Sequence, residues 1–234
     1  MSGHSHWASI KHKKGAADEK RGKAFSKMAK LITVAAREKG GDPDTNPTLR
    51  MAIDSAKKIN MPKDNIERAV KKGTGELVGE KLEEVILEAY GPNKIAIILE
   101  CITDNKNRTL GEVKKILSQY NGKLADEGSV QWLFDKLGEI SIETDDKERV
   151  ELEAIEAGAK DIEWEDNIVY IYTDLADLDK AKKHLESKGF EINSSSPSWI
   201  AKDKIEVGNL EPIEKLFNAL DDNDDIQNIY SNIQ

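Results

Sequence analysis

Lys20, Lys23, Lys27 and Lys30 stand three or four residues apart. On an α-helix that spacing sets four ammonium groups in one row over about 15 Å. Such a row neutralises several phosphates at once, which releases counterions and makes binding salt-dependent. It lies within a first forty residues that hold ten Lys or Arg against three acids, a local charge of +7 in a chain of −9. Residues 2–15 are mostly Gly, Ser, His and Lys, with one Trp and no periodicity. That is the pattern of a basic arm that orders on nucleic acid. Lys11, His12, Lys13 and Lys14 are its candidate phosphate contacts, and Trp7 offers a ring to stack on a base or to dock on the protein. Arg21 falls near the apolar side of the following helix and can reach around it. A lysine stripe alone is equally compatible with a solvated face; the arm in front of it tips the reading towards an anionic polymer. A second polar cluster, Asp104-Asn105-Lys106-Asn107-Arg108-Thr109, joins a strand to a helix start, where free N–H groups favour anions. Asn105 and Arg108 are its candidate contacts, the alternative being a helix cap with exposed cations.

No catalytic set emerges. Gly15 and Gly22-Lys23 imitate a phosphate loop, but the glycine spacing is two residues too long and Ala24 stands where Ser or Thr would hold magnesium. Gly73-Thr74-Gly75 is too short for a dinucleotide fingerprint. His4, His6 and His12 sit among cations, which disfavours a metal. Cys101, the one cysteine, lies in a strand-like apolar run and reads as a small buried hydrophobe. The acidic run Asp221-Asp222-Asn223-Asp224-Asp225 reads as a solvated turn, since it lacks the glycine and terminal glutamate of an EF-hand loop. Neither a cofactor nor a small-molecule substrate is expected.

The elements that must position these residues follow from periodicity. Phe25, Met28, Ala29, Ile32 and Ala36 recur at helical spacing opposite the lysine row, giving a helix from about 16 to 39. Asn46-Pro47 is an N-cap followed by proline at the first helical position, and Asn60-Met61-Pro62 repeats the device for a third helix ending at Lys71-Lys72-Gly73. Strand-like runs follow at 85–91 and 94–102 around Gly91-Pro92-Asn93. A helix from 104 to 120 and a third strand, GSVQWLF at 128–134, complete a ββαβ unit. Residues 136–196 then read βαββαβ, the ferredoxin-like order. The tail gives SWIAKDKIEV as a strand, a helix from about 212 to 220 and a last strand, IQNIYSNI.

The fold class expected is therefore α+β, an N-terminal three-helix domain followed by two α/β domains, at least one ferredoxin-like. The division is residues 1–79 as a basic helical domain with its arm, 80–135 plus 197–234 as a discontinuous α/β domain, and 136–196 as an inserted ferredoxin-like domain. Charge follows this division. Residues 1–79 carry 17 basic and 9 acidic groups, whereas residues 80–234 carry 18 and 35. A basic module is thus attached to an acidic body that phosphates repel. The longest apolar runs are too short to span a bilayer, and the N-terminus has no apolar signal core, so a cytoplasmic location without membrane contact is expected.

The strings GHSHWASIKHKKGAADEKRGKAFSK, GGDPDTNPTLRMAIDSAKKINMPKDNIERAVKKGTGE, EAYGP at 88–92, ECITDNKNRT at 100–109 and GSVQWLF together resemble the YebC/PmpR family. They run from Gly3 to about Phe134. His6 departs from the family, which often carries Lys there, and so removes one phosphate contact. The resemblance implies a three-domain arrangement and a DNA-binding regulator of transcription that is not an enzyme. Relatives described as translation factors or as a mitochondrial translational activator imply the alternative, a ribosome-associated factor gripping ribosomal or transfer RNA. No recognition helix with base-reading residues is evident in the sequence, which weighs against sequence-specific reading of DNA.

Overall fold

The structure, a computed structural model, describes residues 18–79 and 81–234, with side chains from Arg21 onward. Three helices come first: α1 (Asp18–Lys39), α2 (Pro47–Lys58) and α3 (Lys63–Thr74). Ile32, Ala35, Ala36, Leu49, Ala56, Met61, Ile66 and Ala69 form their common core. Asn46 is fully buried. Its side-chain carbonyl accepts the Leu49 N–H at 3.1 Å, while its amide donates to the carbonyls of Ala35 (2.8 Å) and Gly40 (2.9 Å). One cap therefore fixes both the start of α2 and the end of α1. The second expected cap is different. Asn60 takes a left-handed backbone (φ 58°) just after α2, and Pro62 precedes α3 without a side-chain cap bond. Gly73 lies inside α3, where a Cβ would stand 2.4 Å from the Thr33 carbonyl and 2.7 Å from the Ala36 Cβ; α1 and α3 cross backbone to backbone there.

Two four-stranded antiparallel sheets follow, completing an α+β fold. The first contains β1 (Glu83–Tyr90), β2 (Ala96–Thr103), β3 (Lys123–Leu124) and β8 (Ile226–Ser231) in the order β3-β1-β2-β8. Val85, Leu87 and Ala89 stand opposite Cys101, Leu99 and Ile97. This period-two face packs on Val113 and Leu117 of α4 (Lys106–Gln119) and on Ile213, Leu216, Phe217 and Leu220 of α7 (Glu211–Asp221). The second sheet contains β4 (Phe134–Glu143), β5 (Asp161–Glu165), β6 (Ile168–Thr173) and β7 (Ile192–Ala201) in the order β5-β6-β4-β7. With α5 (Lys147–Glu156) and α6 (Leu178–Ser187) this is the ferredoxin-like βαββαβ arrangement.

Two expected strands are placed differently. GSVQWLF does not form the third strand; Lys123–Leu124 pairs with Ala89 and Tyr90 instead. Buried Glu88 explains the change, because its carboxylate accepts the N–H groups of Gly128 (2.6 Å), Val130 (2.5 Å) and Gln131 (2.9 Å). Burial opposes its ionisation, but those three donors outweigh it and hold its pKa below the usual range. The chain then forms a 3₁₀ turn at Gln131–Leu133 and enters β4 at Phe134. Likewise SWIAKDKIEV is not a separate strand. Ser198–Ala201 continues β7 and pairs with Phe134–Leu137 of β4, leaving a single bridge between Ile205 and Ile233. Trp199, near the end of this ribbon, packs with Ile98 and Tyr230 of the first sheet, with Val130 in the loop before β4 and with Phe134 at the start of β4, and donates to Glu100 at 3.0 Å. Among the described residues no helix is long and apolar enough to cross a membrane.

Candidate functional site

The apolar face of α1 (Phe25, Met28, Ala29, Ile32, Ala35, Ala36) meets α2 and α3. Its lysine face meets the acidic turn between α7 and β8. Lys23 Nζ lies 3.3 Å from an Asp222 carboxylate oxygen. Lys27 Nζ donates to the Asp221 carboxylate at 2.9 Å and to its carbonyl at 2.7 Å. Lys30 Nζ lies 2.6 Å from Asp225 Oδ1 and 3.0 Å from the Asp224 carbonyl. The run 221–225 is thus packed against the helix rather than fully solvated. Further along the same side of α1, Val34 is buried with Leu82 and Ile102, and Leu31 packs against them.

Asp225 is the centre of this contact. Its second carboxylate oxygen accepts from Thr109 Oγ1 (2.6 Å), Arg108 Nη2 (2.9 Å) and Thr103 Oγ1 (3.1 Å). Burial would raise its pKa, but the bonds from Lys30, Thr109 and Arg108 prevail and hold the group well below the usual carboxylate range. Arg108 also reaches Asp104 at 2.7 Å, and hydrogen bonds to both carboxylates push its pKa upward. Asn105 caps α4 by accepting the Arg108 N–H at 3.1 Å. Two clusters that looked independent in the sequence, the α1 lysine row and the Asn105–Arg108 corner, therefore meet at one aspartate through Lys30 and Arg108. Cys101 is buried on β2. Burial first, then the charges of Asp225 and Glu100, push its thiol up to about 12.

Trp7, Lys11, His12, Lys13 and Lys14 lie outside the described residues, as does the side chain of Lys20. Arg21 is exposed. Sequence reasoning missed three cations of α3: Arg68, Lys71 and Lys72 are exposed and have no carboxylate partner among the described residues. Lys30, Arg68 and Lys72 share a groove of about 340 Å³ between α1 and α3, floored by Phe25, Ala29 and Ala69. Helical spacing from the apolar positions Ile66, Ala69 and Val70 would have shown that these cations face outward.

Two other places were candidates for chemistry. Glu153, Glu156 and His184 offer three ligand atoms close enough for a metal, but Lys188 already sits 2.7 Å from Glu153 and 3.6 Å from Glu156. A larger cleft of about 400 Å³ separates the helices from both sheets, lined in part by Met28, Met51, Glu84, Glu100, Ile102 and Ser195. Burial, with Glu38 and Glu100 nearby, raises the Glu84 pKa. Among the described residues, no nucleophile with a neighbouring base lines it.

Comparison with known proteins gives matches along the chain. Residues 5–76 match the family model described as the TACO1/YebC protein N-terminal domain, and residues 82–233 match the TACO1/YebC second and third domain. A "Probable transcriptional regulatory protein" of Halothermothrix orenii is 47% identical over 239 residues, covering 99% of this chain and 94% of the relative. A protein of the same description from Geobacter sulfurreducens is 50% identical, covering 99% and 95%. The crystal structure of a conserved hypothetical protein from Aquifex aeolicus superposes with a TM-score of 0.89 at 42% identity, covering 98% of this chain and 96% of that one.

Proposed function

The chain belongs to the TACO1/YebC family, and on that premise we propose that it is a nucleic-acid-binding regulator of gene expression, acting as a DNA-binding transcriptional regulator without catalysis of its own. The names of its relatives support regulation of transcription. The observation that carries the phosphate-contacting role is the group of exposed cations on the helical unit, Arg21, Arg68, Lys71 and Lys72. Arg68 and Lys72 border a groove, and all four lie on the one part of the chain whose net charge is positive, next to a body whose net charge is strongly negative. Electrostatic repulsion of the body from a phosphate backbone orients the helical unit towards it. The basic arm, with Lys11, Lys13, Lys14 and Lys20, extends the same charge. Contact is through the backbone, so affinity falls with salt and depends weakly on sequence.

The test is fluorescence anisotropy with a 30-base-pair duplex, comparing the wild-type chain with the reversal Arg68→Glu/Lys71→Glu/Lys72→Glu. These side chains are exposed, so the fold is expected to survive. Affinity should fall by roughly tenfold or more, and the slope of log Kd against log salt should flatten by about 0.9 for each phosphate no longer neutralised. Equal affinity and slope would remove the α3 face from the site. Co-sedimentation with ribosomes in excess duplex DNA tests the target itself. Retention on ribosomes would replace the DNA reading with the translational one.

A further inference from the structure

We propose that the acidic turn 221–225 is an internal competitor for nucleic-acid phosphates, occupying the lysine face of α1 until a polyanion displaces it. This rests on the nucleic-acid reading above and adds its regulation. Three successive ammonium groups on one helix face each meet an oxygen of a single turn almost 200 residues away in sequence: Lys23 with Asp222, Lys27 with Asp221, Lys30 with Asp225. A row of carboxylates facing a row of lysines has the same arrangement a phosphate backbone would present.

The turn is held firmly at one end and loosely at the other. Asp225 is bound to the first sheet's corner by Thr103, Thr109 and Arg108. The Lys23–Asp222 pair is open to water, with side chains 34% and 70% exposed, and an exposed pair of this kind contributes little. Lys27–Asp221 is intermediate, at 11% and 26%. Displacement can therefore start at Lys23 and proceed along the row while Asp225 stays in place on the sheet.

The remaining attachments of the helical unit are mostly of the same kind. Arg50 pairs with Asp179, Lys182 with Asp54, and Lys58 donates to the carbonyls of Ile192 and Asn193. The apolar contacts are few: Leu31 and Val34 with Leu82 and Ile102, and Met51 against the core of the second sheet. Polar attachments of this type weaken with ionic strength and with a competing polyanion. A phosphate site covered part of the time binds with an affinity reduced by the covered fraction.

The experiment uses the full-length chain and its Asp221→Asn/Asp222→Asn variant, with Asp225 left intact. Anisotropy with the 30-base-pair duplex at about 0.1 M salt should show the variant binding about fivefold or more tightly. In the wild type, carbodiimide cross-linking should join Lys27 to Asp221, read by mass spectrometry, and its yield should fall as duplex is added. Unchanged affinity of the variant, together with a cross-link yield indifferent to bound DNA, overturns the competitor and leaves DNA binding standing. If neither chain binds the duplex, the nucleic-acid reading falls and takes the competitor with it. Should the variant fail to fold, the wild-type cross-link decides alone.

Discussion

Lys30 and Asp225 meet at 2.6 Å, with the aspartate almost wholly buried and a second cation, Arg108, 2.9 Å from its other oxygen. This single carboxylate joins α1, β2, α4 and β8. Its folded pKa is depressed, whereas an unfolded aspartate titrates near about 3.9. Its contribution is therefore fully present above that value and is lost as pH falls from there towards the folded pKa. Thermal melts should show no Asp225-dependent change between about pH 5 and 8, and a loss of stability below about pH 4. At neutral pH Asp225→Asn should cost about 2–3 kcal/mol, because Lys30 and the two threonine hydroxyls lose a charged acceptor. A variant that melts with the wild type at pH 7 would refute this.

Gly73→Ala should destabilise the helical unit even though alanine favours helix by about 1 kcal/mol. The new methyl would meet the Thr33 carbonyl and Ala36 at distances that require α1 and α3 to separate, a cost of about 1–3 kcal/mol beyond the propensity gain. Chemical denaturation of the two proteins measures it, and a more stable variant would mean that the crossing is looser than 2.4 Å implies.

Cys101 should resist alkylation. The thiolate is the reactive form, and a thiol pushed up to about 12 on a strand with 1% exposure offers almost none of it at pH 8. Iodoacetamide should label the native chain orders of magnitude more slowly than the urea-unfolded chain. Equal rates would show that β2 opens readily.

The helices and the ferredoxin-like unit were legible because local rules decide them. Asn46-Pro47 is a cap wherever it occurs before an apolar helical period, and βαββαβ follows from alternating periods. The lysine face was legible as a face but not in its partner, because the partner lies almost 200 residues away. A clue was present. Leu31 and Val34 lie on the same side of α1 as Lys27 and Lys30, and two apolar residues on a supposedly solvated face indicate that it packs against something. GSVQWLF misled because its apolar content resembles a strand, while its backbone donors are claimed by Glu88, a residue forty positions earlier. SWIA misled because strand length cannot be read where one strand serves two layers.

The continuous β4–β7 ribbon, with Trp199 seated in the neighbouring layer, has a thermodynamic consequence. The ribbon's end is tied to the first sheet by side chains, Trp199 packing on Ile98 and Tyr230 and donating to Glu100, so the two sheets share buried apolar surface and one cannot melt without exposing part of the other's core. Calorimetry should resolve a single endotherm for both sheets whose position changes little with added salt. The three helices, moored chiefly by charge, should contribute an earlier one that moves to lower temperature as salt rises.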